Sequence, residues 1–368
     1  MLRPMGATTV ASDESTPAPP KLFIDVGVNL TDPVFRGVHK HGQRAHEDDL
    51  HLVVHRARSV GVHQMIITGG SLHESREAVR MAKELGLTCT VGCHPTRASE
   101  FVQKAASPEA YLQSLRDLAV SNAEVVVAIG ECGLDYDRLF FCDADTQRRF
   151  FPLQINLAMD LGLPLFLHDR NSGGDFLSIL KDARARGAAG SKPFPGGVVH
   201  SFTGTEGELQ AYVELGLYIS VNGCSLKTPE NLDVVKKIPL DRLLIETDAP
   251  WCDIRNTHAS AALLAAAYPL PPAVGGGGKK GTGSPSESAL WRELGIEVGM
   301  NAVHRPGAPV DPGKFAMGRM VKGRNEPCAI AKVFSVLYQL RRGEVATASQ
   351  LAQLILDNTR RLFFSRQR

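Results

Sequence analysis

The chain has 368 residues, 43% hydrophobic and 22% charged, a composition that excludes collagen-like, disulfide-scaffold and globally disordered classes. Its 41 basic against 39 acidic residues leave a formal charge of +2, which neither identifies nor excludes a polyanionic partner, because a local basic surface binds phosphate on a neutral protein. The length fits two domains of roughly 150 residues, or one large closed α/β barrel with additions.

Residues 1–20 lack the apolar core of a secretory signal and the arginine richness of a transit peptide, and they end in Pro-Ala-Pro-Pro; they read as a disordered leader. From Lys21 onward, short aliphatic runs alternate with helical stretches. LFIDVGV (22–28) precedes an amphipathic segment, and HQMIITGG (63–70) precedes one that opens on the capping pattern Ser71-x-x-Glu74 and closes on Gly86. LTCTVGCH (87–94) leads to a helix with Ser107 as N-cap before Pro108, and VVVAIGECG (125–133) leads to DTQRRFFPLQINLAMDLG. LPLFLHDR (163–170), GGVVHSFTG (196–204), LYISVNG (217–223) and DRLLIETDAPW (241–251) continue the series, the first three each trailed by a helical pattern. Such alternation implies a parallel sheet covered by helices. Eight units in this length favour a (β/α)₈ barrel over an open sheet, and no G-x-G-x-x-G follows the first strand.

After the eighth strand, residues 268–288 form a Pro/Gly/Ser-rich segment that reads as a flexible linker, and helical patterns resume at 328–364. The expected organisation is one barrel domain, residues 21–368, with a flexible insertion at about 261–323. That insertion carries seven basic residues against four acidic ones and follows the eighth strand, so it reads equally as a source of phosphate contacts to a nucleic acid docked at that face or as a solvated spacer. The longest apolar run, AALLAAA from Ala261, is far below the roughly 20 residues of a membrane span. Seven scattered cysteines without a C-x-x-C pair point to a reducing compartment, cytoplasmic or nuclear, rather than to disulfides or structural zinc.

Polar residues stand where the aliphatic runs end. Glu131 ends AIGE, His168 ends LFLH, His200 ends GVVH and Asp248 ends IETD. In a barrel these tips converge on one face, and two imidazoles with two carboxylates make a divalent-metal site, one carboxylate being able to bridge two ions. Any one of these residues alone reads more simply as a structural histidine or a turn carboxylate; it is the repetition at four strand ends that favours a metal. Asp25 and His94 also end strands; His94, turned by Pro95, suits a phosphate oxygen. Arg138 suits a bidentate phosphate contact, or an ion pair with Asp135 or Asp137. His258 reads equally as a substrate contact or a surface histidine.

At FIDVGVNLTDPVF, TVGCHPTRA, AIGECGLDYDR, LPLFLHDR, VVHSFTG, YISVNG, LLIETDAPWC and GRNEPC the chain resembles the TatD family of metal-dependent deoxyribonucleases, and within it the eukaryotic TatD DNase domain-containing group. The resemblance implies an amidohydrolase-like TIM-type barrel, metal-dependent phosphodiester hydrolysis of DNA, and Glu131, His168, His200 and Asp248 as metal ligands. Bacterial relatives often carry H-x-H where this chain has Gly27 and Asn29, so the two halves of the site are expected to be unequal. One ion would be held by Glu131, His168 and His200, and a weaker one by Glu131 and Asp248 with help from Asn29. The oxygen-rich half suits Mg²⁺ or Mn²⁺ better than Zn²⁺. Asp248 is the expected general base, Glu131 the bridge, and His94 and Arg138 the substrate contacts. A small-molecule amidohydrolase or lactonase, and a catalytically silent DNA-binding scaffold, are the alternatives.

Overall fold

The computed structural model describes residues 20–39, 42–190, 192–267, 289–296 and 309–365. All eight expected strands form: β1 Phe23–Val28, β2 Val62–Ile67, β3 Thr88–Val91, β4 Val126–Asp135, β5 Leu165–Arg170, β6 Gly197–Val199, β7 Tyr218–Val221 and β8 Leu243–Ile245. They pair in parallel in sequence order, giving the (β/α)₈ barrel. The helices between them are α1 Leu50–Ser59, α2 Leu72–Leu85, α3 Glu100–Gln103, α4 Pro108–Val120, α5 Ala144–Leu161, α6 Asp175–Ala189, α7 Glu206–Glu214 and α8 Pro229–Val235. After β8 come α9 Ala261–Ala267, α10 Ala289–Glu293, α11 Ile330–Arg341 and α12 Ala348–Phe363. The expected caps form, with Ser71 Oγ accepting from Glu74 N at 3.2 Å and Ser107 Oγ from Ala110 N at 3.2 Å.

Alternate residues of each strand face opposite sides, so one set fills the barrel and the other meets the helices. Val26, Ile66, Ala128, Phe166, Val198, Tyr218 and Leu244 form the inner cluster. Phe151, Phe176, Leu180 and their neighbours form the outer layer under the helices.

The seam between β8 and β1 is closed by residues past the end of β8. Asp248 N donates to Gly27 O at 2.9 Å and Asn29 N to Ala249 O at 2.8 Å. Below them the buried Asp25 carboxylate accepts from Thr247 N at 2.9 Å and from Thr247 Oγ1 at 2.5 Å. Asp25, expected to end a strand, instead lies inside β1 as its third residue and ties the barrel wall across the seam.

The linker at 268–288 and the leader apart from Pro20 lie outside the described residues. Within the expected flexible insertion, residues 289–296 are packed: Leu290, Trp291, Leu294 and Ile296 are buried, and the Trp291 ring lies 6.3 Å from Phe23 and 6.2 Å from Phe334. Phe23 starts β1, so this segment sits at the end of the barrel opposite the strand tips. Residues 289–296 are thereby turned away from the expected nucleic-acid face, while Lys279 and Lys280, on which that expectation rested, lie outside the described residues.

Candidate metal centre

The C-terminal ends of the strands open on a cleft of about 690 Å³ lined by Asn29, His94, Glu131, Arg138, His168, His200 and Asp248 among others. A cavity of about 930 Å³ at the opposite end, beside His63 and Arg360, contains none of these residues.

Glu131 lies within the long β4 rather than at its tip. Two residues on, Gly133 has φ +147°, and a Cβ there would lie 1.8 Å from His168 O, so only glycine lets β4 run this close to β5. The result sets Glu131 beside His168. Glu131 Oε1 is 2.8 Å from His168 Nδ1, 2.8 Å from His200 Nε2 and 3.3 Å from His94 Nε2. Three imidazoles thus converge on one carboxylate oxygen. His94, expected to touch phosphate, lines the cleft with Nε2 towards Glu131, its Nδ1 bonded to Thr96 Oγ1 at 2.7 Å and accepting from Thr96 N at 3.1 Å. Among the described residues, His94, Glu131 and His168 offer ligand atoms that all lie within 4.8 Å of one another.

Burial alone would raise the Glu131 carboxyl, but the imidazoles of His200, His94 and His168 hold it well below the usual range. Burial would likewise lower His200, and Glu131 with Glu246 instead raises it well above the ordinary value. For His94 burial wins and the ring is shifted down, towards the neutral form that a ligand requires. Nitrogen and carboxylate donors of this kind fit a divalent first-row ion.

Asp248 stands three residues past β8 in a turn with φ +51°, and its carboxylate accepts from Asn29 Nδ2 at 2.9 Å and from Cys252 Sγ at 3.3 Å. Burial pushes it up to about 6, against His200 and the Asn29 hydrogen bond, which lower it. Arg138 keeps its guanidinium half exposed at the mouth, with Nε 3.8 Å from Asp135 Oδ2 in a loose pair. His258 is buried and does not line the cleft.

Two residues, Glu246 and Asn325, escaped the sequence reading of the site, and Asp135 entered it only as a candidate partner of Arg138. Asp135 Oδ2 lies 3.3 Å from His168 Nε2, and Glu246 Oε1 lies 3.3 Å from His200 Nδ1 while accepting from Ser201 N at 2.7 Å. Both orient imidazoles, and Glu246 was signalled by standing two residues before Asp248. Asn325 of GRNEPC holds the Asp248 turn, its Nδ2 donating to Thr247 O at 3.1 Å and Trp251 O at 2.6 Å. No local signal in the sequence marks that role.

Residues 24–364 match the model of the TatD related DNase family. The chain is 39% identical over 344 residues to the deoxyribonuclease Tat-D of Schizosaccharomyces pombe, covering 92% of this chain and 94% of that one. It is 43% identical to the 3'-5' ssDNA/RNA exonuclease TatD of a Rahnella strain, over 62% of this chain and 79% of the relative. The crystal structure of an amidohydrolase from Saccharomyces cerevisiae superimposes with a TM-score of 0.74 at 31% identity, covering 94% of this chain and 100% of that one.

Proposed function

Because the chain belongs to the TatD related DNase family, we propose that it is a divalent-metal-dependent deoxyribonuclease, hydrolysing DNA phosphodiester bonds at the mouth of the barrel. The observation that carries the reading is the convergence of three imidazole nitrogens on Glu131 Oε1 within the cleft. Glu131, His168, His200 and His94 would hold one cation; Glu131 and Asp248, with Asn29, would hold a second. The imidazole-rich half suits Mn²⁺ or Zn²⁺, and the oxygen-rich half Mg²⁺ or Mn²⁺. When bound, such ions neutralise phosphate charge and acidify water.

The chain's own groups supply the rest. Asp248, standing just past β8 in the lining of the cleft, is placed to accept a proton from the attacking water. Asn29 Nδ2 fixes the direction of that carboxylate. Asp135 and Glu246 hold His168 and His200 in place. Arg138, with its fork free at the rim, receives the phosphate chain. DNA is the partner this assigns, and among the described residues no helix is long and apolar enough to cross a membrane. The compartment we assign is intracellular, cytoplasmic or nuclear, from the scattered cysteines without a C-x-x-C pair.

The test is turnover of end-labelled linear and circular single-stranded DNA with Mg²⁺, Mn²⁺, Zn²⁺ or EDTA. Cleavage in a divalent ion and none in EDTA is the expected result. Equal rates in EDTA, or no turnover with any ion, would remove the reading.

A further inference from the structure

Among the described residues three aromatic side chains are exposed, and all three lie on loops that follow strands at the catalytic end: Phe140 at 79%, Phe141 at 62% and Trp251 at 58%. Trp251 lines the cleft together with Arg138, and the two phenylalanines follow Arg138 by two and three residues. Their exposure does not come from a loose loop. Buried Gln147 of α5 staples both ends, accepting from Asp135 N at 2.7 Å and donating to Asp135 O at 2.9 Å and Cys142 O at 2.8 Å. Asn171 Nδ2 donates to Asp137 Oδ1 at 2.7 Å, and Phe141 N to Arg138 O at 3.0 Å. The two rings sit 4.3 Å apart, tilted by 40°. A pinned loop that keeps two phenyl faces in water beside a half-exposed guanidinium offers what unpaired bases on a phosphate chain bind: flat apolar faces and a cation. In a duplex the base faces are already stacked, so the match is to single strands.

We propose that Phe140, Phe141 and Trp251 form a platform on which the unpaired bases of a single-stranded nucleic acid stack as its backbone passes Arg138 into the cleft. The proposal rests on the nuclease reading above and adds to it the residues that select the form of the substrate. Stacking lost at one base should weaken binding roughly 5- to 150-fold.

The experiment compares the full-length protein with Phe140→Ala/Phe141→Ala and Phe140→Leu/Phe141→Leu. Substrates are an oligothymidylate and an oligomer of equal length built from tetrahydrofuran abasic units, with the same phosphates and no bases. The expected result is a KM on oligothymidylate raised at least 5-fold in both variants, with the KM on the abasic oligomer changed far less. In EDTA, oligothymidylate should quench the emission of exposed Trp251 while the abasic oligomer does not; Trp291, the other tryptophan, is buried. Leucine variants that keep the wild-type KM would overturn stacking in favour of plain apolar contact. Equal rises on both oligomers, or a wild-type dimer in sedimentation that the alanine variant lacks, would overturn it too. No turnover of either oligomer by the wild type, with quenching intact, would instead remove the nuclease reading and leave the platform.

Discussion

Glu326→Gln offers the sharpest test of how the site is held. Glu326 accepts from Arg56 Nε at 2.6 Å and Nη2 at 3.0 Å and from Arg324 Nη2 at 2.8 Å. Asp49 accepts from both Arg324 Nη groups at 2.7 Å and from Arg56 Nη2 at 3.3 Å. The four side chains are at most 8% exposed, and two guanidinium groups balance two carboxylates. Glutamine keeps the shape but leaves one carboxylate facing two buried cations. Breaking a buried pair in this way costs about 3–5 kcal/mol. In a chain of 368 residues that corresponds to a melting temperature lower by roughly 4–6 °C. The damage should reach the site, because the next residue back, Asn325, clamps the turn that carries Asp248. Thermal unfolding of wild type, Glu326→Gln, Arg56→Met and the double variant separates the effects. The double variant, neutral again, should be less destabilised than the two single changes added together. A Glu326→Gln protein that melts within about 2 °C of wild type, or strict additivity in the cycle, would refute this account.

Glu131→Gln should lower DNA turnover by about three orders of magnitude or more, the loss of several kcal/mol of charge stabilisation at a metal centre, with an unchanged circular dichroism spectrum; near-normal rates would dismiss Glu131 as the bridge. Calorimetric titration with Mn²⁺ should resolve one tighter and one weaker event, with Asn29→His tightening the weaker. Gly27→His should not, since a Cβ there would lie 2.9 Å from Phe166 Cζ and 3.0 Å from Glu246 Oε2, and two equal tight events in the wild type would contradict the uneven site. Burial pushes the Asp25 carboxyl up to about 8 from 3.8, against the Thr247 hydrogen bonds, so the fold gains from its protonated form below 3.8 and loses that gain as pH rises through about 8. Asp25→Asn, which stays neutral, should flatten denaturant stability across that window, and an unchanged profile would exclude Asp25 as its source.

The alternation of eight aliphatic runs with helical stretches carried the barrel, because strand and helix periods are local properties of the chain. The same local logic marked Glu131, His168, His200 and Asp248, each following an apolar run that a parallel barrel must bury, and the structure brings all four to the lining of one cleft. Tertiary structure decided which atoms meet. Asp25 and His94 are both marked in sequence as polar residues of an aliphatic run, yet Asp25 lies inside β1 and bonds Thr247 across the seam while His94 turns onto Glu131. Asn325 lies 78 residues from the Thr247 carbonyl it holds, and Trp291 reaches back to Phe23 at the first strand. Such contacts are fixed by the closure of the barrel, which brings distant segments to one place. Periodicity and capping act within a few residues and carry no record of them.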